Sequence, residues 1–266
     1  MPKLSAVILT KNEESNIAEC IESLRWADEV VVFDSGSTDR TVEIARRLGA
    51  TVIQHPFRDF ADQRNAALEL VDSDWIFFVD ADERATPKLA AEVRRAIQDP
   101  SRVGWWVPRH NYIFGRLTLH AGWYPDYQLR LLRRGRARYD PRRKVHELVM
   151  LDGEDGRLQN PLIHYNYDNL AQFIERQNRY VRYEAEMLFD QGIRPKPHNF
   201  VLQPLREFRR RFISLEGYKD GLHGLFLSLL MACYNFVMYV RLWQLWRMAE
   251  GACAAKPGKL EGGDFD

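Results

Sequence analysis

At 266 residues, 45% of them hydrophobic, the chain can bury a sizeable core, which excludes wholesale disorder. Lys plus Arg (38) nearly balances Asp plus Glu (37), and the net charge of +1 gives no global electrostatic case for nucleic-acid binding. Three cysteines, Cys20, Cys233 and Cys253, are odd in number and far apart, which speaks against a disulfide framework or a Cys-based zinc site and suits a reducing cytosol.

Met1-Pro2-Lys3 runs straight into a strand-like segment, Leu4 to Thr10, so no signal peptide is expected. Ile17, Cys20, Ile21 and Leu24 then recur at helical spacing, with Ser15 or Asn16 as N-cap. Glu29 to Phe33 reads as a strand, Thr41 to Leu48 as a helix stopped by Gly49, Thr51 to Gln54 as a strand and Asp62 to Leu70 as a helix. Trp75 to Val79 is a fully apolar run rich in aromatic and β-branched residues, as expected of a strand buried on both faces of a parallel sheet. This β-α-β alternation calls for a right-handed, parallel, three-layer α/β/α arrangement.

The central run ends in Asp80-Ala81-Asp82-Glu83, at the strand end where open α/β sheets bind ligands. Asp80 and Asp82 are two apart, so in extended geometry they point the same way and suit Mg²⁺ or Mn²⁺ also held by substrate phosphates. A solvated acidic turn leading to Thr86 as N-cap and Pro87 as first helical residue fits the same residues. Glu83 is expected as a helix N-terminal charge. The turn after the first strand, Thr10-Lys11-Asn12-Glu13, has no glycine, which excludes a dinucleotide-binding Gly-x-Gly-x-x-Gly turn and a phosphate-cradling P-loop.

The stretches VILTKNEE (7–14), VVVFDSGSTDRT (30–41), FADQRNAAL (60–68) and WIFFVDADE (75–83), in that order, resemble family 2 glycosyltransferases, which have the GT-A fold. Later pieces, WYPDYQLRLLRR (123–134), KVHE (144–147) and LIHYNY (162–167), look like the subgroup of bacterial lipopolysaccharide-core β-1,4-glucosyltransferases. The resemblance implies a UDP-sugar site in which Thr10, Asn12, Glu13 and Asp34 meet ribose and uracil and Arg64 lies near base and diphosphate. It makes Asp80 and Asp82 the Asp-x-Asp pair around Ala81, Asp82 binding the metal directly and Asp80 reaching ribose or metal-bound water. His164 is a candidate third metal ligand, since a neutral imidazole suits Mn²⁺. Bland readings stand beside these: an Asx-turn for Asp34, a solvated helix arginine for Arg64 and a core or acceptor-contact histidine for His164.

Beyond Pro100, Gly104 to Pro108 reads as a strand, Arg109 to Tyr112 as a loop, Tyr127 to Leu132 as a half-buried strand and Asp152 to Gly156 as a turn. Arg130 and its neighbours could face an anionic substrate. By resemblance this half binds the acceptor and supplies the base, for which Glu147 is nominated and Asp126 is runner-up. Glu147 could instead pair with Arg142, Arg143 or Lys144, and Asp126 could cap a turn. His146 is a weaker candidate.

Leu170 to Gln191 reads as a helix ending at Gly192, and Phe200 to Ile213 as a second helix carrying the arginine block Arg206 to Arg211. The apolar run Leu222 to Val240, interrupted by His223, Ser228 and Asn235, reads as too short and polar to span a bilayer. It suits a helix lying in the cytoplasmic membrane face, or one buried on the catalytic domain or a dimer partner. The expected organisation is a GT-A catalytic domain at 1–168, with a nucleotide-sugar half (1–100) and an acceptor half (101–168). A helical region at 169–250 and a flexible tail at 251–266 follow. The expected protein is an inverting, metal-dependent enzyme at the inner face of the cytoplasmic membrane, touching it peripherally through 200–247, with a homodimer left open. It would move a hexose from a UDP-sugar to a glycan or glycolipid acceptor and bind no nucleic acid. The alternatives are a nucleotidyltransferase or a nucleotide-sugar-binding or membrane-scaffold protein without catalysis.

Overall fold

The computed structural model describes residues 1–140 and 148–254. The chain forms two compact units, one of residues 1–117 with 123–166 and one of residues 118–122 with the chain from 167 onward. In chain order the first unit runs β1 (Leu4–Thr10), α1 (Ile17–Ser23), β2 (Glu29–Asp34), α2 (Thr41–Arg47), β3 (Thr51–Gln54), α3 (Phe60–Leu70) and β4 (Trp75–Asp80). It continues with β5 (Glu83–Ala85), α4 (Pro87–Ala96), β6 (Arg102–Ile113), β7 (Arg116–Thr118), β8 (Asp126–Arg133), β9 (Ala137–Tyr139), β10 (Val149–Leu151), β11 (Glu154–Arg157) and β12 (Leu162–Tyr167).

The main sheet has the order β3-β2-β1-β4-β8-β6-β12-β5, with β7 and β11 also on β6. Strands β3, β2, β1 and β4 are mutually parallel, whereas β8 runs antiparallel to both β4 and β6. Burial on both faces explains the unbroken apolar runs. Along β1 and β4, Ala6, Ile8, Phe77 and Val79 pack toward α1 and α4, while Val7, Ile76 and Phe78 pack with Ala67 and Leu68 of α3. Fully burying each of Phe77 and Phe78 contributes about 1.5–3 kcal/mol. Thr86 caps α4 by accepting from Leu89 N–H at 3.2 Å, with Pro87 opening the helix.

Three expectations are corrected. Arg109 to Tyr112 are not a loop: they continue β6 to Ile113, with Arg109 in register with Asp126 of β8. The glycine-containing turn is short, because Glu154–Arg157 forms β11, parallel to β6, where Gly156 lets the backbone approach Trp105. Glu83 is not a helix-start charge; it sits in β5, fully buried.

The second unit carries α5 (Leu170–Asp190), α6 (Asn199–Arg209), a π-helical turn (Arg210–Ser214), a 3₁₀ turn (Gly217–Asp220) and α7 (Gly221–Ala254). Asn169 caps α5, accepting from Gln172 N–H at 3.0 Å. Helices α5 and α7 meet through Val181, Ala185, Met238 and Leu242. Gly224 is required where α7 passes the 3₁₀ turn, since a Cβ there would collide with the Gly217 carbonyl. The apolar run from Leu222 is longer than expected. Its polar residues do not break the helix, because Ser228 Oγ donates to the Gly224 carbonyl at 2.7 Å and His223 Nε2 meets Thr118 Oγ1 at 3.0 Å. By length and composition α7 could cross a membrane.

Candidate functional site

The carboxyl ends of β1, β2 and β4 gather most of the residues singled out in the sequence. Register places Thr10 beside Asp34 and Leu9 beside Asp80. Asp34 is fully buried; its Oδ2 accepts from Gly36 and Ser37 N–H, each at 3.0 Å, and its Oδ1 accepts from the Ser37 and Thr10 hydroxyls. It therefore holds the loop after β2 in an Asx-type turn. Asn12, at φ 57°, donates its N–H to Ser37 Oγ (2.9 Å) and accepts from Thr38 N–H (2.8 Å). Glu13 N–H donates to Thr41 Oγ1 at 2.8 Å. Thr10, Asn12, Glu13 and Asp34 thus form one hydrogen-bonded rim.

Arg64 is not the solvated helix arginine of the bland reading. It is 8% exposed, lies over the rings of Phe78 and Tyr139, and points Nη2 at Asp80 Oδ1 across 3.5 Å. Arg130, expected to face an anionic substrate, is instead buried and grips both oxygens of Asp80 while reaching Glu83 Oε1 at 3.2 Å. The reason is the neighbouring buried acid: Glu83 needs cations, because an unpaired buried carboxylate is prohibitively costly. Glu83 Oε2 also accepts Asp80 N–H at 2.9 Å, and Arg109 bridges Glu83 (3.4 Å) and Asp126 (2.7 Å). Arg64, Asp80, Arg130, Glu83, Arg109 and Asp126 therefore alternate in sign through the sheet. Sequence reasoning missed Glu83 and Arg109 as members of this chain.

Burial opposes the charge of Asp80, but Arg130 and Arg64 outweigh it and hold the carboxyl well below the usual carboxylate range. Asp126 is likewise held low: burial opposes its charge, and Arg109, Asn111 and Gln128 outweigh it. With folded values below the unfolded value of about 4, the unfolded chain takes up protons first as pH falls. Stability is therefore complete above about pH 4 and declines as pH drops toward the folded values. The melting temperature should fall between about pH 5 and 3, with a shallower slope in Asp80→Asn, as scanning calorimetry across that range would check.

A second line of contacts leads from Asp126 to Asp82. Asn111, 1% exposed on β6, donates from Nδ2 to the Trp123 carbonyl (2.8 Å) and to Asp126 Oδ2 (3.1 Å). Its Oδ1 therefore faces His164 Nδ1, 2.7 Å away, and that nitrogen carries the hydrogen. His164 Nε2 is turned to Asp82 Oδ2 at 3.5 Å. In a neutral imidazole this sets a lone pair against a carboxylate, an arrangement stabilised by a proton on Nε2 or by a cation shared with Asp82. Among the described residues no group of three or more His, Cys, Asp or Glu side chains is placed to hold a metal. The pair Asp82 and His164 offers a carboxylate oxygen and an imidazole nitrogen that would suit a divalent ion. Asp80, both of whose oxygens meet Arg130, is committed to that ion pair. Ala81 is buried, and its carbonyl accepts from Arg84 at 2.7 Å. Asn111 also escaped sequence reasoning, although its spacing of two from Arg109 puts both on one face of a strand. Glu147 and His146 lie outside the described residues.

Comparison with known proteins adds a separate observation. Residues 5–149 match the family described as Glycosyl transferase family 2. The chain is 32% identical, over 92% of its length and 94% of the relative's, to the lipopolysaccharide core biosynthesis glycosyltransferase LpsC of Rhizobium meliloti (strain 1021). It is 28% identical to an uncharacterized glycosyltransferase of Rickettsia felis, covering 91% of this chain and 90% of the relative. Among solved structures, glucosyl-3-phosphoglycerate synthase from Mycobacterium tuberculosis in complex with Mn²⁺, UDP and phosphoglyceric acid aligns at 20% identity and TM-score 0.47, covering 74% of this chain and 80% of that one.

Proposed function

The chain belongs to glycosyl transferase family 2 and is a glycosyltransferase; from that premise we propose that it is an inverting, metal-dependent enzyme transferring a hexose, glucose in our reading, from a UDP-sugar. The acceptor is an anionic glycan or glycolipid of the lipopolysaccharide inner-core type, in line with the lipopolysaccharide core biosynthesis for which the Rhizobium relative is named. The observation that carries the metal reading is the facing pair Asp82 and His164 at the end of the central strand. A Mn²⁺ or Mg²⁺ ion held by that pair would neutralise the departing diphosphate as a Lewis acid. Thr10, Asn12, Glu13 and Asp34 line the nucleoside side, and Arg64 and Asp80 lie between it and the diphosphate.

Attack from the face opposite UDP needs one protein base. We assign it to Glu147, with Asp126 as second choice. Asp126 is ionised at neutral pH but bound by Arg109, Asn111 and Gln128, which lowers its basicity. A melting-temperature screen tests the donor class: UDP with Mn²⁺ at a hundred times its dissociation constant adds about 2.7 kcal/mol of stability, whereas NAD and ATP add none. Equal shifts with ATP, or no dependence on Mn²⁺, would remove this reading.

We assign α6 and α7 to peripheral contact with the inner face of the cytoplasmic membrane. Along α6 and into the π-helical turn after it, the exposed positions run from Val201, Leu202 and Leu205 to Arg206, Arg209 and Arg210, an apolar patch continued by a basic one. Along α7, Leu222, Phe226, Leu229, Phe236 and Trp243 are exposed. Each arginine near an anionic surface is worth about 1 kcal/mol, so the triple variant R206E/R209E/R210E should weaken vesicle binding at least 100-fold in co-sedimentation. Unchanged binding to anionic vesicles, or a dimer that hides these residues in solution, would overturn the assignment.

A further inference from the structure

The buried amide of Asn111 lies between two groups with separate tasks and touches both. Its Nδ2 donates to Asp126 Oδ2 at 3.1 Å and to the Trp123 carbonyl at 2.8 Å, and its Oδ1 meets His164 Nδ1 at 2.7 Å. The two donor contacts fix which way the amide faces. With the oxygen so directed, His164 must carry its hydrogen on Nδ1 and present Nε2 to Asp82. A leucine in its place would leave the imidazole free to take the other tautomer, with a hydrogen on the nitrogen that faces Asp82. It would also remove one of the donors that hold Asp126 beside Arg109.

We propose that Asn111 is a positioning residue that sets the His164 tautomer for cation binding with one end of its amide and fixes the Asp126 carboxylate with the other. The inference rests on the metal reading of His164 and, for its turnover arm, on the second-choice assignment of Asp126 as base, both given above. Partners of this kind behind a metal-binding histidine alter metal affinity by about 10- to 100-fold when removed. The two ends can be separated chemically. Asn111→Leu removes both contacts. Asn111→Asp keeps an oxygen that accepts from His164 Nδ1–H but loses the donor to Asp126 and sets a second carboxylate against it.

The test measures Mn²⁺ binding to the full-length protein in the presence of UDP, by electron paramagnetic resonance of free Mn²⁺, together with kcat for UDP release from UDP-glucose with a core-oligosaccharide acceptor. Asn111→Leu should bind Mn²⁺ about 10- to 100-fold more weakly, while Asn111→Asp stays within about threefold of the parent in binding and loses turnover. That split is a signature a purely structural role does not produce, since simple loosening of β6 would lower both quantities in both variants. Parental Mn²⁺ affinity in folded Asn111→Leu, alongside weakened binding in His164→Ala, overturns the proposal. Parental affinity in His164→Ala overturns the metal reading itself and is recognised separately. Should Asn111→Leu fail to fold, Asn111→Asp decides alone: a tenfold or greater loss of Mn²⁺ affinity there counts against the proposal, and parental affinity with lost turnover supports it.

Discussion

Asp82→Ala is expected to lower glycosyl transfer by about 10³-fold or more while leaving the protein folded. The rate follows from the task assigned to this carboxylate. A cation neutralising a departing diphosphate is worth several kcal/mol in the transition state, and each 1.36 kcal/mol is a factor of ten. The folding expectation follows from geometry. Asp80, not Asp82, holds the buried arginines, so the alternating chain through Arg130, Glu83 and Arg109 survives the substitution. Asp82 instead faces His164 from a partly open position, its side chain 19% exposed. Initial rates of UDP release from UDP-glucose with Mn²⁺, set beside a thermal melt, measure both quantities. A variant retaining more than a tenth of the parental kcat would show that the metal is held elsewhere or is not needed.

His164→Ala should fall between Asp82→Ala and the parent, because Asp82, the charged oxygen donor of the facing pair, remains.

The strands β1, β2 and β4 could be read from the sequence because a strand covered on both faces is apolar along most of its length, and such runs stop sharply at Thr10, Asp34 and Asp80; β3, an edge strand with exposed ends, was marked instead by its β-branched run Thr51-Val52-Ile53. The acidic tip and the polar rim were visible for the same reason: polar side chains that end a buried strand must sit where the sheet opens to solvent or ligand. Strand β6 was not legible past Pro108. Its Arg109 and Asn111 face the buried polar contacts of Asp126 and His164 while His110 and Tyr112 face the other side, so neither face reads as apolar. Glu83 was misread because a local rule, acid before a helix, fits the sequence as well as its tertiary role does. Its partners Arg109 and Arg130 lie 26 and 47 residues away, beyond any window of local pattern. Arg130 was misread with it, since an arginine in a half-buried strand has no visible counter-charge until the strand order is known. The full length of α7 was hidden by polar residues whose side chains bond within the second unit.

The largest expected effect on stability is at Glu83, where replacement by leucine should cost about 3–5 kcal/mol. Glu83 is fully buried and balances two arginines that are themselves little exposed, with side-chain exposures of 5% for Arg130 and 16% for Arg109. Without the acid Arg130 keeps Asp80 and Arg109 keeps Asp126, but Arg64, Arg130 and Arg109 then stand against only two carboxylates. A buried charge left without its counter-charge costs more than the intact pair contributes. The same change frees Asp80 N–H, which Glu83 Oε2 now accepts at 2.9 Å, so the Asp80-Ala81-Asp82 turn loses its anchor and transfer should fall as well. Glu83→Gln keeps that acceptor and the side-chain shape while deleting the charge, and should cost less than Glu83→Leu. Adding Arg109→Leu to Glu83→Leu removes the surplus positive charge, so the double variant should be more stable than the sum of the single losses predicts, the sign of a coupled pair. Urea denaturation of the four proteins gives these differences directly. A loss below about 1 kcal/mol for Glu83→Leu, or strict additivity in the double variant, would mean that water reaches this charge chain and that it does not organise the site.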